Sequence, residues 1–130
     1  HDNQLLTRFL QHGERYREVH RPERSIHCYR TYLEFAPDSF EAYYGLGEAL
    51  SACHQDRAAL DAYQRAVATA PEEIAPRKKL GFAYIRLGER EKAAEVWRGL
   101  VNQHPGERFV AHYLEALTAD RLLPHPGERL

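Results

Sequence analysis

Eight histidines and two cysteines among 130 residues invite metal binding or thiol chemistry, and their spacing argues against both. His20 and His27 have Pro22 between them, so they are not expected to share a helix. His27 adjoins Cys28 and Cys53 adjoins His54, but neighbours along a helix point about 100° apart and do not converge on one ion. Neither cysteine belongs to a CxxC pair, and no structural-zinc spacing occurs. Neither thiol has a nominated base or oxyanion donor. A glycine-rich phosphate loop, a GxSxG elbow and an HExxH pair are all missing from the sequence. Carboxylates stand on polar faces or in pairs such as Glu72-Glu73 at a helix start, where the helix dipole accounts for them. The expectation is no metal, no cofactor and no catalysis. Most histidines are expected on the surface or in turns, with His12 and His112 the two exceptions to watch.

The chemistry that remains is recognition. Lys78, Lys79 and Arg86 are interleaved with Phe82, and Phe109 and Tyr113 follow; Tyr44 and Glu48 precede them. Bases beside exposed aromatics are how a surface gains affinity and orientation for a partner segment. Whether these side chains share a surface depends on the elements that carry them.

Those elements recur every 34 positions. Pro37, Pro71 and Pro105 close the units, Gly13, Gly47 and Gly81 fall in step, and so do Tyr29, Tyr63 and Trp97. Leu46 and Leu80 share a position, with His12 in the first unit; Ala59 and Ala93 share another, with Ser25 in the first. Within the middle unit, Tyr43, Leu46, Gly47 and Leu50 fall on one helical face. After a polar break at His54-Gln55-Asp56 the face resumes with Ala59, Leu60, Tyr63, Ala66 and Val67. Asp38 and Ser39 are N-cap candidates, and Pro71 ends the second helix. Each unit is therefore read as two antiparallel helices of about four turns. A helical glycine costs about 1 kcal/mol against alanine, so its return at one period predicts close packing. Gly47 and Gly81 are expected to face Ala59 and Ala93, with Tyr29, Tyr63 and Trp97 filling the space between successive hairpins.

This pattern resembles the tetratricopeptide repeat (TPR). The second unit carries the resemblance through Tyr43, Leu46, Gly47, Ala59, Tyr63, Ala66 and Pro71; the third through Leu80, Gly81, Tyr84, Ala93, Trp97 and Pro105, departing at Arg77 and Leu100. The first fits at Phe9, Gly13, Tyr16, Tyr29 and Pro37 but not at His12, Ser25 and Tyr32. The resemblance implies an all-α fold, a right-handed solenoid of antiparallel helix hairpins with about seven helices. One domain over 1–130 is expected, with repeats at 6–39, 40–73 and 74–107, a capping helix at 108–121 and a tail at 122–130. Glu115 and Thr118 replace the glycine and tyrosine of the pattern, and Pro124, Pro126 and Gly127 rule out a further helix of ordinary length.

Composition agrees with a compact domain and removes several functions. Apolar residues make up 43%, no apolar run approaches a membrane span, and the net charge of -1 argues against a nucleic-acid binder. Two cysteines outside any disulfide framework favour a reducing setting, so a cytoplasmic location is expected. The lack of methionine, position 1 included, leads us to expect a fragment or processed product, so missing targeting signals carry little weight.

In such a solenoid the first helix of each pair lines the concave side. The residues nominated there are Thr7, Leu10, Gln11, Glu14, Arg17 and Glu18, then Glu41, Tyr44, Gly45, Glu48 and Ser51. Ala75, Lys78, Lys79, Phe82, Ile85 and Arg86 follow, and Phe109, His112, Tyr113 and Ala116 complete the set. The expected binding groove is Tyr44, Glu48, Lys78, Lys79, Phe82, Arg86, Phe109 and Tyr113. Its acidic first half and basic, aromatic second half suggest an acidic and apolar peptide partner. Some members of the resembled family clamp a chaperone's C-terminal carboxylate. The matching places here hold Leu10, Glu14, Gly45, Ala75 and Lys79, of which only Lys79 suits the role, so no such clamp is expected. The alternative is a structural domain that self-associates or packs within a larger protein through Leu117, Leu122 and Leu123, which no following helix covers. A third reading is an accessory domain of a multidomain enzyme or secretion component.

Overall fold

The computed structural model describes residues 2–122, with side chains placed from position 4 to position 119. Seven helices follow one another with no strand among the described residues: α1 (Asp2–Glu18), α2 (Pro22–Phe35), α3 (Phe40–Ala52), α4 (Asp56–Thr69), α5 (Ile74–Arg86), α6 (Arg90–Gln103) and α7 (Arg108–Leu122). Each helix packs on its neighbours in the chain, and α1 also touches α3. The result is an all-α solenoid.

The turn inside each hairpin is the same structure three times. His20 and His54 both have φ 60°, and Gly88, at the matching place, has φ 78°. Each left-handed residue donates its N–H three residues back: His20 to Arg17 O at 3.1 Å, His54 to Ser51 O at 3.0 Å and Gly88 to Ile85 O at 2.9 Å. The next residue donates five back, as in Arg21 to Tyr16 O at 2.7 Å, Gln55 to Leu50 O at 2.9 Å and Glu89 to Tyr84 O at 2.9 Å. These paired bonds form a Schellman motif, which satisfies the last carbonyls of α1, α3 and α5. Histidine tolerates that conformation better than most side chains, and glycine adopts it freely.

The links between hairpins also repeat. Ala36, Ala70 and His104 close α2, α4 and α6 by donating to Tyr32 O, Ala66 O and Leu100 O at 2.9, 3.0 and 2.8 Å. Pro37, Pro71 and Pro105 come next, and a proline cannot extend the helix before it. Ser39 then caps α3, its Oγ accepting from Ala42 N at 3.2 Å.

The nearest neighbours of the repeated glycines are the aromatics of the second helices. A Cβ on Gly13 would stand 2.9 Å from Tyr29 Cε1, one on Gly47 would stand 2.7 Å from Tyr63 Cε1, and one on Gly81 would run into the Trp97 indole. Tyr29 also reaches forward to the next hairpin, where Gly45 leaves the space for its ring. Gly45 is therefore buried under Tyr29 and does not line an open groove.

The core forms two clusters. Ile26, Tyr29, Ala42, Leu46, Leu50, Tyr63 and Leu80 lie in the first; Ala93, Trp97, Leu100, Val110 and Leu117 form the second. Tyr84 and Val96 pack against both. Leu100, a departure from the repeat pattern, is fully buried, and so is Ser25 in the looser first unit. Ser25 Oγ donates to Gly13 O at 2.6 Å, so a hydroxyl where alanine stands elsewhere is satisfied.

Leu117 is a second correction. It was expected as an uncovered apolar residue for self-association, yet it is only 8% exposed and belongs to the second core cluster. Its place in the period is that of Ala49 and Ala83, both of which are buried. The side chain of Leu122 and the whole of Leu123 lie outside the described residues.

Candidate functional site

The first helices α1, α3, α5 and α7 lay equivalent residues in rows, and the rows define one face. Glu14, Glu48, Phe82 and Ala116 form one row; Gln11, Gly45, Lys79 and Tyr113 another; Glu18, Ala52 and Arg86 a third. Between α3, the start of α4 and α5 this face opens into a cleft of about 600 Å³. Ala52, Ala59, Ala83, Phe82 and Ile85 supply its apolar lining, while Glu48, Asp56, Lys79 and Arg86 supply charge. A smaller cleft of about 440 Å³ lies one repeat earlier, lined by Arg17, His20, Pro22, Glu48 and Ala52. Each of those five residues, advanced by one period, falls on a lining residue of the larger cleft. Glu48 and Ala52 line both and form their common wall.

Glu48 is the polar centre of the face. Tyr63 donates its hydroxyl to Glu48 Oε1. Lys79 Nζ lies 3.6 Å from the same oxygen, and Arg17 Nη1 lies 3.8 Å from Oε2. One carboxylate thus joins α1, α3, α4 and α5. Burial pushes the Tyr63 phenol well above the ordinary range, and the charge of Glu48 and its hydrogen bond add to that. Tyr44 is raised by burial first and by Glu48 second. Tyr29 is raised by burial too, against the opposing pull of Arg17, whose Nε donates to its hydroxyl at 3.1 Å.

The three bases expected to form a free basic surface are all engaged. Lys78 Nζ is 3.0 Å from Glu107 Oε2 and Arg86 Nε is 3.0 Å from Asp56 Oδ1, while Lys79 has Glu48. Arg86 also donates Nη2 to His54 Nδ1 at 3.2 Å. The aromatics do come together. Phe82 meets Trp97 edge-on at 4.9 Å and Tyr113 at 5.1 Å between ring centroids, and Phe109 lies 5.4 Å from Tyr113. Phe109 is 65% exposed and Tyr113 38%, so the cluster ends in an open aromatic ledge on α7. Tyr44 stands apart from the cleft, packed between Phe40 and Tyr63 at 6.1 Å from each.

Asp56, His54 and Glu107 are part of this arrangement and were not expected in it. The sequence shows them only as turn residues, and nothing in their spacing says that they reach the next first helix. The recurrence of His20 and His54 one period apart is the one signal that could have pointed to the clefts. No group of three or more histidine, cysteine, aspartate or glutamate side chains that could hold a metal occurs among the described residues. The thiols of Cys28 and Cys53 are free, and burial raises the Cys28 pKa, which keeps it protonated and unreactive.

A family model described as "Tetratricopeptide repeat" matches residues 79–106. The crystal structure of MamA superposes with a TM-score of 0.85 at 28% identity, covering 89% of this chain and 68% of that one. The chain carries a tetratricopeptide repeat over those residues and folds as a solenoid like these structures. A second TPR structure, the first TPR of Spaghetti (RPAP3) bound to an HSP90 peptide, superposes at 0.84 over 92% of this chain and 95% of that one; at 16% identity it speaks to the TPR fold alone. Among curated proteins, the peroxisomal targeting signal receptor of Kluyveromyces lactis is 29% identical over 84 residues, or 65% of this chain. The match spans only 15% of that receptor's length. No described helix is long and apolar enough to cross a membrane.

Proposed function

We propose that this TPR chain is a non-catalytic interaction module that holds a segment of a partner protein on the face of its first helices. The observation that carries the reading is the cleft between α3 and α5, continuous through Phe82 with the exposed ledge of Phe109 and Tyr113. An exposed aromatic pair beside an apolar cleft with charged rims is the composition of an interaction hot spot. The peptide-bound state of the RPAP3 domain supports the same use of the fold. A reducing, cytoplasmic setting belongs to this reading and is supported by the free thiols.

Phe109→Ala is the variant that tests it, because a side chain so exposed contributes little to folding. Capture of partners from a native lysate by the wild type and lost by Phe109→Ala and Lys79→Glu at unchanged helicity is the expected result. Equal capture by all three chains would remove the face from consideration. Assembly through the capping helix, the second reading, loses Leu117 to the core and would have to use the Phe109 and Tyr113 ledge instead.

A further inference from the structure

We infer that the segment held on this face is recognised by two neighbouring apolar side chains and not by its charge. The inference rests on the groove reading above and names the chemistry of its partner. That partner is a stretch of another protein with two aliphatic or aromatic residues close together and no excess of acid or base.

It follows from matching the charges of the face. Helix α5 has four bases and no acid, and so looks made for an acidic ligand. Yet Lys78, Lys79 and Arg86 already hold Glu107, Glu48 and Asp56, carboxylates brought to them from other elements. The fourth base, Arg77, reaches α6 and donates to Gln103 Oε1 at 2.6 Å. On α1, Glu14 and Glu18 line one cleft together with Arg15, and Arg8 lines the next with Thr7 and Gln11. Arg8, Arg15 and Arg17 thus stand against Glu14, Glu18 and Glu41, so both halves of the face are close to neutral. A charged ligand gains little there. To pair with a base of α5 it must displace a carboxylate, and over α1 it meets both signs together.

What the face offers without an internal competitor is apolar surface. Ala52, Ala59, Ala83, Phe82 and Ile85 line the cleft between α3 and α5, and Phe109 and Tyr113 form the exposed ledge on α7. Phe82 belongs to both sites, because it lines the cleft and meets Tyr113 edge-on at 5.1 Å. The two sites are therefore adjacent. Side chains about two residues apart in an extended segment, or about three or four apart in a helical one, reach both. Taking this aromatic carbon out of water is the gain that binding can draw on.

Selection of a random peptide library displayed on phage, against the immobilised chain, tests this. The expected pool carries two aliphatic or aromatic positions at one of those spacings, with no bias toward acid or base. Its members lose about tenfold or more in affinity against Phe109→Ala. They change by less than about twofold between low and high salt, and likewise against Glu14→Lys. A pool rich in Asp and Glu or in Lys and Arg, an affinity that falls steeply with salt, or no enrichment would each overturn the inference. So would a dimer seen by sedimentation and abolished by Phe109→Ala, since the occupant would then be a second copy of the chain. Failure of the groove itself reads differently: the selected peptides, whatever their composition, would bind Phe109→Ala as tightly as the wild type.

Discussion

Trp97 leaves no room for a methyl group on Gly81, and Gly99, two residues further along α6, meets only the tip of Arg77 at 3.5 Å. The two helical glycines should therefore respond to alanine with opposite signs. Gly81→Ala forces the buried indole aside and is expected to cost about 2 kcal/mol, while Gly99→Ala removes a weak helix former and is expected to stabilise by about 0.5–1 kcal/mol. Urea unfolding followed by helicity measures both. The buried phenols make a second prediction at this scale. Tyr29, Tyr44 and Tyr63 are all held above the ordinary value of 10.0, chiefly by burial. Phenolate then forms more easily in the unfolded chain, so the native state binds more protons in alkaline solution. The stability involved is complete below pH 10.0 and falls as the pH rises beyond it. Helicity and phenolate absorbance, followed together through an alkaline titration, should change in concert, and Tyr63→Phe should make the loss less steep. The repeated glycines are visible in the sequence as a cost that needs a reason. The reason, an aromatic ring lying on each one, is a contact between two helices and has no local signature.

Each hairpin turn places one residue at positive φ, and the choice of residue there is a matter for the element as a whole. Gly88 adopts φ 78° with nothing within 4 Å of its missing Cβ. Gly88→Ala thus introduces backbone strain without a collision and is expected to lower stability by about 1 kcal/mol. The reverse change at the equivalent place, His54→Gly, relieves strain but also removes the acceptor of Arg86, so a net effect near zero is expected by the same unfolding measurement. The turns were legible in outline, because the polar break and the closing prolines bracket the helices. That His54 and Asp56 reach forward to Arg86 was not legible, since a turn residue's distant partner depends on how the next hairpin docks. Helix α7 shows the same gap. Its apolar residues are plain in the sequence, but whether Leu117 faces solvent or the preceding hairpin depends on the rotation of the helix about its own axis, and the structure turns it inward.

Across the molecule, Glu48 links helices of all three hairpins through Arg17, Tyr63 and Lys79. Glu48→Gln keeps an acceptor for Tyr63 and discards both ion pairs. These pairs are partly exposed, with Lys79 44% accessible, so a loss of only about 0.5–1 kcal/mol is expected, shrinking as salt is raised. Unfolding at low and high salt decides it; a loss indifferent to salt would mean that packing, not charge, is what Glu48 contributes. The spacing of glycines, aromatics and prolines was enough to establish a helical-repeat solenoid, because each unit is built from contacts between residues close in the chain and the period reports them directly. The same spacing placed Phe82, Phe109 and Tyr113 on one face, since residues one period apart occupy equivalent positions in successive first helices. Charge was another matter. Lys78, Lys79 and Arg86 read as a basic surface along the chain, and only the docking of α3, α4 and the loop before α7 against α5 brought Glu48, Asp56 and Glu107 to neutralise them. An ion pair is decided by side-chain tips from different elements meeting within a few ångströms. No periodicity encodes that distance, so the sign of the surface offered to a partner emerged only from the folded arrangement.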